Sequence, residues 1–468
     1  MKKESRKKYL LKNTIFFSIG NFGSKIINFF LVPLYTNILS VAEYGTVDLM
    51  TILTTVLVPI ITLNLSEAVL RFSLDKDADR EKILNIVTLV SMITALISIV
   101  MIPVLKIFEI TSPYSLLLAM YILTFSISSI LLCYMRGIEK LLDYSVISII
   151  QTILIATLNI IFLTKFKMGI RGYIVAYIVS YITTIILCFI RSNMIKHLSF
   201  KLDKKLLKEM LKYSVLLIPN SLMWWIMNSM DRVMVTSIIN VEANGIYAVS
   251  YKIPSILTTF TNIFNQAWMY SAVKEKNSKD KDEYTTKIFK TLSIFVTTVL
   301  ILILVILKPL LKIYVGNKFY DAWKYVPPLL IGSAILTLGS FLANEYTAHK
   351  DSKGFLFSSL TGAVINLILN IALIPRIGVL GAAVATCISY MVVFLYRVND
   401  TRKYIKINYK DVKLILSWAL VFICSISVYL NKYSIIIEVA SFIAILIVNR
   451  NFWSNFIKGI FQKIKNRK

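Results

Sequence analysis

The sequence predicts an all-α, polytopic membrane protein of about 14 transmembrane helices: two six-helix lobes related by an internal repeat, plus two C-terminal helices. Three observations predict it. Fourteen apolar blocks run through the 468 residues, each about 20 residues long, the length that crosses a hydrocarbon core. The second six blocks repeat the first six at an offset near 200 residues. The chain is 57% hydrophobic with a mean hydropathy of +0.71, too apolar for a soluble chain of this length. In lipid every backbone polar group needs an internal partner, which helices supply. Short alternating segments of the kind that build a barrel are missing.

The N-lobe, 1–200, holds spans at 14–38, 46–66, 84–105, 114–135, 144–164 and 171–190. Residues 2–12 are basic, but the apolar segment after them is too long for a signal-peptide core and has no small-residue cleavage site, so it is read as span 1. The C-lobe, 201–405, holds spans at 212–238, 246–270, 288–308, 325–346, 354–374 and 378–396. Spans 13 and 14, at 412–430 and 433–449, fall in a terminal section, 406–468, that ends in a basic tail. The linker 191–212 contains Lys204-Lys205-Leu206-Leu207-Lys208, the pattern of an amphipathic helix on the inner membrane surface. The tail from Asn451 alternates apolar and basic residues at helical spacing and reads either as a second such helix or as a solvated end. Pro33, Pro59, Pro219 and Pro254 lie in or near spans 1, 2, 7 and 8 and predict bends there.

The net charge is +27. With the N-terminus inside, most of the 52 lysines and arginines fall in loops on one side, as the positive-inside rule requires. Both termini are therefore expected in the cytoplasm, in a multi-pass protein of the plasma (inner) membrane. The same rule accounts for the basic balance without nucleic acid. Cys133, Cys188, Cys387 and Cys424 lie far apart within spans, without metal-ligand spacing, and read as small buried hydrophobes.

Residues 11–50 laid on 211–250 match without a gap at Leu11/Leu211, Lys12/Lys212, Ile26/Ile226, Asn28/Asn228, Thr36/Thr236, Ile38/Ile238, Val41/Val241 and Gly45/Gly245. Polar stripes repeat as well. Span 1 carries Ser18, Asn21, Lys25 and Asn28 on one helical face, and span 7 carries Ser221, Asn228 and Arg232. Span 2 carries Asp48, Thr51, Thr55, Thr62 and Ser66; span 8 carries Lys252, Ser255, Thr259, Asn262 and Gln266. Serines and threonines of this kind often only join helices. Lys25, Arg232 and Lys252 carry full charges, which inside a span need water, a counter-ion or a ligand. They mark a cationic cavity suited to an anionic substrate such as a phosphate. Asp48 and Asp231 are read as counter-ions or coupling residues. Glu67 and Arg71 read as an i,i+4 pair, as do Glu345 and His349, too slight a signal for a metal site.

The run Asn366-Leu-Ile-Leu-Asn370-Ile-Ala-Leu-Ile-Pro375-Arg-Ile-Gly378-Val-Leu-Gly381-Ala-Ala-Val-Ala-Thr386-Cys-Ile-Ser389-Tyr390 resembles the span 11–12 signature of polysaccharide flippases of the O-antigen and capsule branch. These belong to the multidrug/oligosaccharidyl-lipid/polysaccharide exporter superfamily. Asn64-Leu-Ser-Glu67-Ala-Val-Leu-Arg71-Phe72, Asp231-Arg232, Gly245-Ile-Tyr247 and Asn265-Gln266-Ala-Trp268 fit the same pattern. Gly378, Gly381, Ala382 and Ala383 are expected to let helix backbones approach closely. The resemblance implies a flippase, not an enzyme, that moves an undecaprenyl-pyrophosphate-linked oligosaccharide between leaflets. Related lipid II flippases use cations in spans 1, 2 and 8. Lys25 and Lys252 are counterparts by position, whereas span 2 departs from the pattern in having no basic residue at its middle.

On this reading Lys25, Arg232 and Lys252 bind phosphate, and Asn21, Asn28, Asn228, Asn262 and Gln266 bind sugar hydroxyls. The polyprenyl tail stays in membrane lipid. No cofactor is implied beyond proton or sodium coupling. Partners would be the polymerase and glycosyltransferases of the same pathway. A cation-coupled multidrug exporter of the same fold is the nearest alternative and calls for an acidic, aromatic cavity. A membrane polysaccharide polymerase would need a catalytic loop, and no exterior loop here is long enough.

Overall fold

The computed structural model describes residues 27–75, 77–194, 202–275, 277–430 and 434–465. Nine helices among them are long and apolar enough to cross a membrane, and a bent pair makes a tenth. These nine fall on predicted spans 2–6 and 9–12. Of the other five, span 1 is helical over its described part, Ile27–Ile38, and spans 7, 8, 13 and 14 are helical with interruptions.

In chain order the first helices are α1 (Ile27–Ile38), α2 (Val41–Ile61), α3 (Leu65–Ser73) and α4 (Arg80–Ile107). Then come α5 (Ser115–Gly137), α6 (Leu141–Ile160), α7 (Gly169–Ser192), α8 (Lys204–Val215) and α9 (Ile218–Trp225). A π-turn (Ile226–Met230) leads into α10 (Asp231–Ile238), α11 (Val241–Ser250) and α12 (Lys252–Glu275). The remainder are α13 (Lys281–Tyr314), α14 (Val326–His349), α15 (Ser352–Ile377), α16 (Val379–Asp400), α17 (Val412–Ser427), α18 (Ser434–Val448) and α19 (Arg450–Lys465).

The chain forms two compact units, one of residues 1–225 with 240–245, the other of residues 226–239 with 246–468. In the first, Ser40 and Glu43 cap α2 reciprocally: the Glu43 amide donates to Ser40 Oγ (3.2 Å) and the Ser40 amide to Glu43 Oε2 (2.8 Å). Span 2 ends earlier than its hydropathy suggests. Leu63 and Asn64 take positive φ and turn the chain into α3, so Ser66 and Glu67 lie on a separate helix. There Arg71 pairs with Asp75 at 2.5 Å rather than with Glu67. Leu65 and Val69 of α3, Leu84 and Val87 of α4, and Leu131 and Met135 of α5 share one core with Met210 of α8. Elsewhere in this unit Tyr35, Tyr121, Tyr173, Tyr177 and Tyr181 pack ring against ring.

The unit also contains a reciprocal seam. A Cβ built on Gly45 would sit 2.1 Å from the Val241 carbonyl oxygen, and one on Gly245 would sit 2.2 Å from that of Val41. Only glycine permits two backbones this close. Asn244 Nδ2 closes the contact by donating to the buried Gly45 carbonyl at 3.1 Å.

In the second unit α14 is the most enclosed of the nine long helices. It packs against α12 and α16, while α15 packs on α16. Trp268 of α12 stacks on Phe341 of α14 at 4.5 Å, and Thr261 bonds Thr337 between the same helices at 3.0 Å. The long α13 holds α17 and α18. Arg397, 2% exposed, ties α16 to both neighbours: Nε donates to Ser358 Oγ (3.1 Å) and Nη1 to the Gly339 carbonyl (3.0 Å). Gly381 makes the expected close approach, its Cβ position lying 2.5 Å from the Leu373 carbonyl oxygen. Gly378 does not. Nothing lies near its Cβ position, and its role is a left-handed turn at φ 63° between α15 and α16.

Predicted spans 7 and 8 are the irregular ones. Span 7 is divided by a turn after α8 and again by the π-turn, and span 8 breaks at Tyr251. Pro219 and Pro254 therefore stand in the first turns of α9 and α12, where a missing N–H leaves no bond unmade, and not inside bent helices. Span 13 shortens to 16 residues. Span 14 bends by 76° into α19, so the basic tail is helical as far as Lys465.

Candidate functional site

The π-turn places Asp231 and Arg232 at the start of α10, in the interior of the second unit. Wide turns of this kind open the helix ladder and recur at functional positions. The Asp231 side chain is 1% exposed. Its Oδ2 accepts three hydroxyl donors: Tyr247 of α11 at 2.8 Å, Thr386 of α16 at 3.1 Å, and Tyr251, which lies closest. Its Oδ1 accepts the Arg232 backbone amide at 2.9 Å. A buried carboxylate is tolerable only with such bonds.

The chain of bonds continues outward. Thr386 Oγ1 accepts from Asn366 Nδ2 at 3.4 Å, and Asn366 Oδ1 accepts from Asn370 Nδ2 at 2.9 Å. Both asparagines are fully buried. Asn370 Oδ1, at the end of this relay, has no donor among the described residues. One carboxylate, one hydroxyl and two amides thus form a continuous buried hydrogen-bonded relay.

The Arg232 guanidinium lies over the Tyr251 ring, 4.8 Å from its centroid, and Nη2 donates to the Asn228 carbonyl at 3.1 Å. Tyr390 of α16 donates to Asn228 Oδ1 at 2.9 Å. Asn228, Asp231 and Arg232 thus come together, with Lys252 half-buried one residue beyond Tyr251. Asn262 and Gln266 lie further along α12 and are exposed within their unit. Asn28 is exposed and Asp48 buried in the first unit. Asn21 and Lys25 lie outside the described residues. Glu345 and His349 form a structural cluster with Lys281, whose Nζ is 3.6 Å from Glu345 Oε2. Among the described residues no three His, Cys, Asp or Glu side chains gather around a point that could hold a metal.

Full charge within a span marks Asp231 and Arg232 in the sequence; the polar groups bonded around them, Tyr247, Thr386, Asn366, Asn370 and Tyr390, carry no charge and are not marked in that way. Buried amides at i,i+4 in an apolar helix were the available signal.

Helices of membrane-spanning length and apolarity, with a broken helix leading to a buried carboxylate, define an integral membrane protein with a transporter fold. A family model described as "Polysaccharide biosynthesis protein" matches residues 10–270. That is more than half of the chain, and the chain belongs to this family. It is similar in structure to a lipid II flippase, MurJ, in an inward closed conformation, at 17% identity and a TM-score of 0.72, covering 95% of this chain and 100% of that one. It is also similar to an inward-facing multidrug resistance MATE family transporter of the MOP superfamily, at 13% identity and a TM-score of 0.65, covering 81% and 94%. An uncharacterized membrane protein of Methanocaldococcus jannaschii, MJ1068, is 29% identical over 152 residues. That match takes in 32% of this chain and spans only 29% of the relative's length.

Proposed function

We propose that the protein is a flippase that carries a polyprenyl-pyrophosphate-linked oligosaccharide across the bacterial plasma membrane by alternating access, for surface polysaccharide biosynthesis. The observation that carries this is the juxtaposition of Arg232, held on the Tyr251 ring, with the hydroxyl-bound Asp231 in an interrupted helix. An arginine fork suits phosphate oxygens, and the adjoining carboxylate supplies a group that can couple to an ion. The family match supports a glycan pathway, and the likeness to a lipid II flippase supports a lipid-linked cargo. Arg232, Lys252 and Lys25 would hold the pyrophosphate. Asn228, Asn262, Gln266, Asn21 and Asn28 would serve the sugar hydroxyls, and Asp48 would act as a counter-ion in the first unit.

Asp231 is the proposed coupling residue. As an anion it accepts all three hydroxyls on one oxygen. A proton placed there turns an acceptor into a donor, so at least one of Tyr247, Tyr251 and Thr386 must find another acceptor. A sodium ion would supply the same neutralisation without a proton. Either event rearranges contacts that join α10, α11 and α16, the kind of two-state element that coupling needs.

A deletion strain that needs this protein for surface glycan tests the reading. Arg232→Ala combined with Lys25→Ala should abolish export at normal protein level, and Asp231→Asn should abolish it or remove its ion dependence. Unchanged glycan in the double variant refutes phosphate binding. Altered drug susceptibility with normal glycan in the deletion strain would establish the multidrug alternative, which the likeness to MATE transporters favours.

A further inference from the structure

We propose that α8 carries a binding site for an acidic phospholipid of the membrane's inner leaflet, separate from the site around Asp231. The helix is fixed at its start by Asp203, whose carboxylate accepts the Lys205 and Leu206 amides (3.0 and 3.1 Å) and pairs with Lys82 at 3.1 Å. The Leu206 amide, with the ammonium of Lys82, holds this carboxyl below its usual range, so it is anionic at neutral pH. One face of α8 is spent on the protein interior: Met210 and Ser214 are fully buried, with Leu206, Leu207 and Leu211 partly so.

The opposite edge carries Lys204, Lys208 and Lys212, all exposed. Spaced four apart, they form one stripe with about 6 Å of rise between neighbours. Beside the stripe Leu207, Leu211, Val215 and Leu216 complete an open groove of about 560 Å³, and no acidic residue lines it. Leu216 is 73% exposed. The acids gather on the other side, where Asp75, Asp77, Asp79, Asp203 and Glu209 line a second cleft. The two edges thus differ: cations over apolar side chains on one, and on the other carboxylates interspersed with Lys82 and Lys205.

That combination selects the occupant. A soluble anion would use the lysines and leave the leucines exposed to water. A zwitterionic lipid would use the leucines and gain little from three ammonium groups. A lipid with a net negative phosphate headgroup satisfies both, its phosphate on the lysine stripe and its upper acyl chain along Leu211, Val215 and Leu216. The side of the membrane follows from the Lys/Arg bias of the loops.

The test is native mass spectrometry of the purified full-length protein titrated with phosphatidylglycerol, phosphatidylcholine or inorganic phosphate. Wild type should retain phosphatidylglycerol in preference to phosphatidylcholine, and millimolar phosphate should not displace it. The combined Lys204→Gln, Lys208→Gln, Lys212→Gln variant should lose affinity for phosphatidylglycerol by roughly fivefold per lysine, and the matching Lys→Arg variant should keep it, which separates charge from folding. Lys205→Gln, on the acidic edge, should have no effect. Retention by the triple Gln variant, an equal loss with Lys205→Gln, or displacement by phosphate overturns the proposal. Arg232→Ala should leave this binding unchanged, so failure of the transport reading would be seen separately.

Discussion

The seam at Gly45 and Gly245 gives the sharpest physical test of the fold. In Gly45→Ala the new methyl would lie 2.1 Å from the Val241 carbonyl oxygen and 2.9 Å from the Gly245 amide nitrogen. Both are backbone atoms, so no side chain can swing away. Restoring ordinary contact moves the start of α11 by more than 1 Å relative to α2, and overpacking of a close-packed contact costs roughly 1–3 kcal/mol. It also strains the buried Asn244 bond to Gly45, whose full loss adds about 1 kcal/mol. The expected cost is about 2–4 kcal/mol, large against the stability of most folds. Gly245→Ala should cost about the same, because its methyl meets the Val41 oxygen at 2.2 Å. The double variant should cost clearly less than the sum, since either methyl alone opens the seam for the other. The assay is unfolding of the detergent-solubilised protein, followed as midpoint and as inactivation rate because such proteins often unfold irreversibly. Either single variant as stable as wild type, or a strictly additive double, would refute the reasoning.

Other outcomes follow from the side-chain network. Tyr247→Phe and Thr386→Val each remove one donor from Asp231, at a cost of about 1–3 kcal/mol, and should weaken ion-dependent transport while the protein stays folded; glycan export in vesicles with and without an imposed ion gradient would show it. Arg397→Lys keeps the charge but cannot reach both Ser358 and Gly339 with a rigid fork, and should cost about 1–3 kcal/mol by thermal unfolding; Arg397→Met should cost less than Arg397→Ala, which also leaves a cavity. Asp351 caps α15 through the Gly354 amide and meets Lys403 (2.9 Å) and the Tyr404 hydroxyl (2.8 Å). These donors hold its carboxyl down to about 2. A depressed carboxyl lends its stability above the unfolded value and loses it on acidification, so about 1–2 kcal/mol should vanish between pH 4 and 2; the stability gap between wild type and Asp351→Asn should close over that range.

The long spans were legible because a helix in lipid must be apolar over a fixed length, and α4, α5, α13 and α14 satisfy that rule almost by themselves. The breaks were not. Nothing in the composition of 212–238 shows that Ile226–Met230 would widen into a π-turn, or that span 8 would pause at Tyr251, since such breaks are settled by tertiary packing and not by local composition. The same holds for the site. Charge in a span singled out Asp231 and Arg232, but their partner Thr386 is 155 residues away and is joined to them only by packing. The polar stripe on span 8 was real in sequence, yet Asn262 and Gln266 are exposed and take no part in the buried network. The repeat pointed to the pairing of Gly45 with Gly245 only as a matching register; that the two glycines touch is a tertiary fact.

The seam carries the arithmetic of an isologous interface, in which residue i meets j and j meets i. Val41 meets Gly245 as Val241 meets Gly45. Two copies of an unduplicated chain could have associated through that one pentapeptide, and every substitution in it would then have been felt twice. Within one chain that constraint does not apply. Asp231 and Arg232 stand where the first copy has Leu31 and Val32, so a single carboxylate and a single guanidinium could arise without twins. The contact remains symmetric, and the chemistry is free not to be.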